Sequence, residues 1–144
     1  MPDTSTTVWQ RPIDLAAMTA LGAKTLPGLV GIEFTAFDDT GLTARMPVDH
    51  RTHQPFGRLH GGASVVLAET VASVGATMAL PEGKVAVGLE INANHIRPAM
   101  SGHVHATATA ENVGRTTQVW TVRIVDDAGK LVCLSRITLA VIEA

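Results

Sequence analysis

The stretch HGGASVVLAETVASVGATMAL, residues 60–80, is the longest apolar segment of this chain. It predicts one long helix, because no proline interrupts it and Pro81 follows directly. Nearly all of its side chains are apolar or small, and Glu69 is its single charged residue. A carboxylate in a helix without a polar face is costly to keep unless a partner or a function requires it. The rest of the chain must therefore explain how this helix is covered and what Glu69 does.

The composition is that of a soluble, folded protein of 144 residues, with 46% hydrophobic and 17% charged residues. The net charge of −2 comes without a basic run, and only 3% of the residues are aromatic, which argues against a nucleic-acid partner. The single cysteine, Cys133, suits a reducing compartment. The first residues lack a signal-peptide pattern, so we expect a cytoplasmic protein. Glu69 and the many small residues of the helix favour a buried helix over a membrane span, and no membrane partner is expected.

Turn residues and hydrophobic alternation divide the rest of the chain into further elements. They predict a short helix, a hairpin, a loop and four strands at residues 15–23, 31–48, 49–59, 85–96, 103–110, 116–125 and 131–141. Asp14 is a candidate N-cap for the short helix, and residues 1–12 are expected to be loosely ordered. The four strands predict an antiparallel meander. The whole order predicts an α+β fold in which the sheet curls around the long helix.

The long helix has two faces of different composition. The face predicted to meet the sheet carries Ala63, Val66, Leu67, Thr70, Val71, Val74, Thr77 and Met78. The other face is small instead of charged, with Ser64, Ala68, Glu69, Ala72, Ser73, Gly75, Ala76 and Ala79. Small residues allow another backbone to approach closely, so a second copy of the chain is the predicted cover, in a homodimer. The alternative is a surface helix that is only loosely covered.

Glu69 has two interpretations. It can be structural and form an ion pair with Arg58, Arg97 or Arg115, because ion-pair networks also bury carboxylates. Alternatively, an apolar site raises its basicity, and it acts as a nucleophile or a general base. Ser73 lies one turn later on the same face. It could hold Glu69 or a water molecule, or it could be no more than a small helix residue.

The first turn of the long helix offers a complementary group. Gly61 and Gly62 expose backbone N–H groups at the positive end of the helix, which suits a carbonyl oxygen that becomes an oxyanion. Gln54 and His60 flank this end and can add hydrogen-bond donors, unless they are ordinary loop and surface residues. Gly61 and Glu69 are separated by about 12 Å along a helix axis. If both act on one carbonyl group, they must come from two subunits related by a two-fold axis.

Three stretches of the chain resemble the hotdog-fold acyl-CoA thioesterases. They are HQPFGRLHGGASVVLAETVAS, VGLEINANHIRPA and GRTTQVW, at residues 53–73, 87–99 and 114–120. The likeness is greatest to the subgroup of the 4-hydroxybenzoyl-CoA and 1,4-dihydroxy-2-naphthoyl-CoA thioesterases, which also includes the proofreading thioesterase of enterobactin synthesis. The resemblance implies one hotdog domain over residues 28–144, after an N-terminal segment of residues 1–27 with a short helix. It also implies hydrolysis of an acyl-CoA with an aromatic or other compact acyl group, and no cofactor, since CoA is part of the substrate.

The resemblance further implies a role for each candidate site residue. Glu69 matches the catalytic carboxylate, and Gly61 matches the residue whose N–H polarises the thioester carbonyl. Gln54 and His60 match its helpers, and Ser73 matches a hydroxyl that orients the hydrolytic water. The residues implied to contact the substrate are His95 and Val74 for the acyl group, and Arg97, Arg115, Thr116 and Thr117 for CoA. Each active site is implied to be shared between the two subunits of a homodimer, with a homotetramer as the full assembly.

Other candidates carry weaker signals. His103 and His105 alternate on one strand face, but two ligands without a third are a poor metal site. Ser64 lacks the G-x-S-x-G setting of a hydrolase nucleophile, and Cys133 fits a small core residue. A dehydratase or hydratase of the same fold would need a catalytic histidine arranged with a carboxylate, whereas the helix offers only Glu69. A thioesterase for a carrier-bound acyl group and a non-catalytic acyl-CoA-binding dimer are the remaining alternatives.

Overall fold

The computed structural model describes residues 6–144, which form three helices and six strands. The helices are α1 (Leu15–Leu21), α2 (Leu26–Leu29) and α3 (Gly61–Met78). The strands are β1 (Glu33–Phe37), β2 (Gly41–Pro47), β3 (Lys84–His95), β4 (His103–Val113), β5 (Thr117–Asp126) and β6 (Leu131–Glu143). This order confirms the α+β class. Asp14 caps α1 as predicted, since its Oδ1 accepts a hydrogen bond of 3.0 Å from the N–H of Ala17.

The six strands form one antiparallel sheet in the order β1-β2-β4-β5-β6-β3. The predicted four-strand meander is therefore wrong in one place, because β3 pairs with β6 and not with β4. The reason is that β4 already has two neighbours, β2 and β5. The connection through residues 96–102 carries the chain from one side of the sheet to the other. As a consequence, β3 is an edge strand.

Helix α3 packs against β2 to β6, but with a different face from the one predicted. Its buried residues are Ser64, Leu67, Ala68, Val71, Ala72, Gly75 and Ala76. Of the stripe predicted to face the sheet, only Leu67 and Val71 are buried. The sheet contributes large side chains of its own, including the fully buried Trp120, and small residues on α3 make room for them. Most of the small-residue face thus meets the sheet, whereas Glu69 and Ser73 of that face stay partly exposed.

The outward stripe of α3 is half-buried in the single chain. It consists of Val65, Val66, Glu69, Thr70, Ser73, Val74, Thr77 and Met78. Glu69 therefore lies on the partly exposed side of α3, and the interpretation of a helix covered on every side does not hold for one chain. A mostly apolar stripe with one carboxylate remains for another surface to cover.

Gly75 illustrates the close packing, and enlarging it is expected to destabilise the fold. A Cβ at Gly75 would lie 3.1 Å from Cζ3 of Trp120, whose indole N–H is fixed by a 2.8 Å hydrogen bond to Oε1 of Gln118. Gly75→Val should lower the free energy of unfolding by about 1–3 kcal/mol, because the added methyl groups overlap the ring. Gly75→Ala should lose less, since a better helix former replaces glycine. Urea unfolding measures both variants, and an unchanged midpoint for Gly75→Val would contradict this packing.

The N-terminal segment is more ordered than predicted. Residues 1–5 of the stretch expected to be loose lie outside the described residues, but Trp9 stacks on Trp120 with ring centroids 6.1 Å apart. Arg11 donates hydrogen bonds of 3.0 Å and 2.7 Å to the carbonyl groups of Leu80 and Pro81. These contacts attach residues 9–11 to the C-terminal end of α3. The sequence did not reveal these contacts, because the two partners of each contact are far apart in the chain.

Helix α3 is long and apolar enough to cross a membrane by length and composition alone. It is instead the core helix of a soluble protein, because one of its faces is fully packed against the sheet. The prediction of a soluble core helix over a membrane span is confirmed for the face that meets the sheet.

Candidate active site

The loop before α3 is held by hydrogen bonds at both ends. The Arg51 guanidinium lies 2.7 Å from Oδ2 of Asp49 and lowers the pKa of that carboxyl to about 2. Thr52 donates from its hydroxyl to the carbonyl of Pro47, 2.7 Å away, and its own carbonyl accepts from the N–H of His60 at 2.8 Å. The start of the loop is therefore tied to the start of α3. This fixes the chain on either side of Gln54.

Gln54 lies in a tight turn within this loop. Its N–H donates to the carbonyl of Arg58 at 2.7 Å, and its side-chain Oε1 accepts from the N–H of Phe56. Gly57 has φ +83°, a left-handed conformation that glycine adopts without strain. Because the turn uses the amide oxygen of Gln54, the NH₂ group is the part of the side chain left to donate to a ligand.

The start of α3 presents a free backbone N–H. His60 is the N-cap, and its Nδ1 accepts a 2.8 Å hydrogen bond from the N–H of Gly62. In the neutral ring the proton therefore lies on Nε2, which can donate. Among residues 6–144, the N–H of Gly61 has no protein acceptor. The positive end of α3 thus offers one backbone donor, with an imidazole donor beside it.

His95 packs directly on Gly61. It is the last residue of β3, and a Cβ at Gly61 would lie 2.9 Å from its Nε2. A side chain at position 61 would have to displace the imidazole, and glycine allows the close approach without that shift. The end of the edge strand and the start of the core helix meet at this point.

A cavity of about 350 Å³ opens at this end of α3. Four candidate residues line it together, namely Gln54, Gly61, His95 and Arg97. His60 flanks the cavity without lining it. Arg58 and Ser64 also line the cavity, and the sequence reasoning gave neither of them a substrate-binding role. Arg58 lines the cavity because of the turn at Gly57, and Ser64 does so because of the way α3 is rotated. Neither feature can be predicted from the local sequence.

Glu69 lies two turns further along α3 and does not line this cavity. Its carboxylate faces Gly88 on β3, where any Cβ would collide with Oε1, and Ile137 is close to the same place. Gly88 adjoins a β-bulge, at which the register shifts between Gly88 and Glu90. Glu69 forms no ion pair with Arg58, Arg97, Arg115 or another cation of the described chain. The structural interpretation of Glu69 therefore finds no partner within one chain.

Ser73 and Val74 follow Glu69 on the outward stripe and border a second cavity of about 330 Å³. Arg11, Met18 and Leu21 from the N-terminal segment also line it. No family feature had been assigned to residues 1–27, so the sequence reasoning missed this contribution. In the sequence, Leu15, Met18 and Leu21 or Ala20 form an apolar stripe at helical spacing, but the spacing does not show what the stripe covers.

The candidate CoA contacts lie apart in one chain. Arg97 is at the cavity beside the start of α3, whereas Arg115 borders another cavity of about 230 Å³ beside Leu80 and Pro81, at the end of α3. Thr116 accepts a hydrogen bond at its carbonyl from the N–H of Val141, and Thr117 begins β5. A single chain does not bring Arg97 together with Arg115, Thr116 and Thr117.

Two of the weaker candidates, His105 and Cys133, have structural explanations. His105 donates from Nε2 to Oδ1 of Asp127 at 2.7 Å, and this hydrogen bond lowers the pKa of Asp127. Within residues 6–144, no group of three histidine, cysteine, aspartate or glutamate side chains is arranged to hold a metal ion. Cys133 is buried, and its burial raises the pKa of the thiol, which disfavours the reactive thiolate.

Comparison with known proteins is consistent with this geometry. The family model of the thioesterase superfamily matches residues 56–133, which include the start of α3, Glu69 and His95. A thioesterase from Haemophilus influenzae has the same fold, with a TM-score of 0.93 and 49% sequence identity over 95% of this chain and 96% of that one.

Two curated relatives have named activities. The 1,4-dihydroxy-2-naphthoyl-CoA hydrolase of Escherichia coli is 46% identical over 135 residues, which cover 94% of this chain and 99% of that protein. The proofreading thioesterase EntH of Cronobacter turicensis is 43% identical over 134 residues, which cover 93% and 98% of the two chains. The chain thus belongs to the thioesterase superfamily, has the hotdog fold and is a thioester hydrolase.

Proposed function

We propose that this thioesterase hydrolyses acyl-CoA with an aromatic or other compact acyl group, at two sites shared between the subunits of a homodimer. The observation that carries the proposal is the separation of two unpartnered groups on one helix. Within the described chain, the N–H of Gly61 has no acceptor and Glu69 has no ion-pair partner. They are about 12 Å apart along α3, too far to act on one carbonyl group.

The edge strand β3 supports the dimer. Val87 and Leu89 on this strand are 41% and 62% exposed, and one side of its backbone has no strand partner in the described chain. An unpaired apolar edge is suited to pairing with another strand. Two copies joined along β3 would bring their outward α3 stripes side by side and antiparallel. Gly61 of each copy would then approach Glu69 of the other, and assembly of two dimers into a homotetramer completes the proposal.

The proposed reaction begins with the thioester carbonyl on the N–H of Gly61. The side-chain NH₂ of Gln54 and the Nε2–H of His60 assist in stabilising the oxyanion. Glu69 of the other subunit then attacks the carbonyl carbon, or removes a proton from a water molecule that attacks it. The C–S bond breaks and the CoA thiolate leaves. In the first route a mixed anhydride forms and is hydrolysed by water, which Ser73 orients.

The remaining candidates are proposed to bind the substrate. His95 and Val74 contact the acyl group, and Arg97, Arg115, Thr116 and Thr117 meet the phosphates and pantetheine of CoA. Arg97 and Arg115 lie at opposite ends of α3, so a dimer with antiparallel helices would bring those of different subunits towards one site. CoA enters as substrate and no cofactor takes part. We further propose a cytoplasmic location, and a division of the chain at residue 27 into an N-terminal segment and the hotdog domain.

A thiol-release screen tests the proposal. The protein should release free CoA from benzoyl-CoA and related aromatic acyl-CoAs faster than from long aliphatic ones. An acyl group on a carrier protein belongs in the same screen, because one relative is a proofreading thioesterase. A single turnover in ¹⁸O-labelled water distinguishes the two routes, since label in Glu69 would exclude a pure general-base route. Absence of thiol release from every substrate would refute the enzyme assignment and leave a non-catalytic acyl-CoA-binding dimer.

A further inference from the structure

Helix α1 separates two cavities beside the outward stripe of α3. The first, of about 330 Å³, is bordered by Ser73 and Thr77. The second, of about 180 Å³, is bordered by Thr70 and Phe34. Three residues line both cavities, namely Met18 and Leu21 of α1 and Val74 of α3. These three residues, which we call the partition, stand between the two spaces.

The partition is held firmly in place. The hydroxyl of Thr19 accepts a 2.9 Å hydrogen bond from the N–H of Phe34, which attaches α1 to β1. Asp14 caps the start of α1, and Arg11 is bound to backbone carbonyls beyond α3. Met18 is half-buried and packs against the hydrophobic core, so its side chain forms the inner part of the partition. The position of α1 is therefore set by contacts on both sides of Met18.

Leu21 occupies a different place from Met18. Its side chain is 87% exposed, so it stands at the mouth of both cavities. Arg11 lines the first cavity, but its Nε and Nη2 are directed to the carbonyl groups of Leu80 and Pro81. The first cavity therefore offers mainly apolar side chains, which suits the hydrocarbon part of a ligand.

We propose that Met18 limits the size of the acyl group and that Leu21 forms the lip over which the acyl group enters. This inference rests on the proposed function, because it takes Ser73 and Val74 to mark the acyl side of the site. The first cavity is near the lower end of the volumes that ligand pockets have, and a compact acyl group would fill it. The second cavity is then unused space that Met18 closes off.

Shortening the side chain at position 18 should change the preference for acyl-chain length and not only the rate of hydrolysis. Met18→Ala joins the two cavities, so kcat/KM for octanoyl-CoA should rise about 10-fold relative to that for benzoyl-CoA. Met18→Phe should narrow the first cavity and lower the ratio of kcat/KM for octanoyl-CoA to that for benzoyl-CoA. Leu29→Ala is the matched control, because Leu29 is an exposed leucine on α2 that borders neither cavity, and its ratio should equal that of the parent.

The test separates failure of this inference from failure of the proposed function. A parent protein that releases thiol, together with an unchanged ratio in both Met18→Ala and Met18→Phe, would overturn the role of Met18 alone. A parent that releases no thiol would overturn the proposed function itself. Since Met18 touches the core, thermal unfolding of each variant checks that it folds. If Met18→Ala unfolds, the ratio in Met18→Phe decides the question.

Discussion

Replacing Glu69 by glutamine is expected to lower kcat for acyl-CoA hydrolysis by about 10³-fold or more, equivalent to about 4 kcal/mol of transition-state stabilisation. The amide keeps the shape of the side chain, so its close approach to Gly88 on β3 is retained. It can neither attack the thioester carbonyl nor accept a proton from water. Steady-state thiol release measures the effect, and KM should change much less than kcat.

The control for Glu69→Gln is Glu82→Gln, which removes a carboxylate whose side chain is 88% exposed in the turn after α3. Its kcat should equal that of the parent. Thermal unfolding should show that both variants fold. If Glu69→Gln retains activity within a few-fold of the parent, the proposed chemistry at Glu69 is wrong, whatever kcat the Glu82→Gln control has.

Mixing two inactive variants is expected to restore activity. Gln54→Ala removes a proposed oxyanion donor and should lower kcat by about 10²-fold. In a mixed dimer of Gln54→Ala with Glu69→Gln, one site takes an intact Gln54 from one subunit and an intact Glu69 from the other. With random pairing half of the dimers are mixed and half of their sites are intact, so activity should reach about a quarter of the parent value.

Co-expression with two different affinity tags allows the mixed dimer to be purified and assayed, and because half of its sites are intact its activity should reach about half of the parent value. The matched control is a dimer in which both tagged subunits carry Glu69→Gln, which should stay inactive. A site contained within one chain predicts no gain on mixing, because every chain then carries a defect in its own site. That outcome would refute the shared site while leaving the role of Glu69 to the previous experiment.

Much of the fold followed from local chemistry. Asp14 caps α1 because an N-cap needs only its own side chain and an N–H three residues later. Helix α3 ends close to Pro81, since proline cannot continue a helix. The order of strands did not follow in the same way. The spacing of β3 and β4 resembles a hairpin, but β2 occupies the edge of β4 that β3 would need.

Part of the candidate site also followed from the sequence. Gln54, Gly61, His95 and Arg97 were named from sequence, and they line one cavity. Met18 was assigned only to the apolar stripe of the short helix and not to the site, because its relevance to the site depends on where α1 lies against α3.

Local residue patterns and family likeness were sufficient for α1, α3, the six strands and the superfamily, but not for the short helix α2, which begins at Leu26 just before Pro27. Packing between distant segments settled which face of α3 meets the sheet. That face carries small residues because Trp120, from β5, fills the space above Gly75. Which side of a helix is buried depends on the helix and on the surface that packs against it. The side-chain pattern of the helix alone does not describe that second surface. For the same reason the approach of the Glu69 carboxylate to Gly88 on the edge strand became visible only in the folded chain.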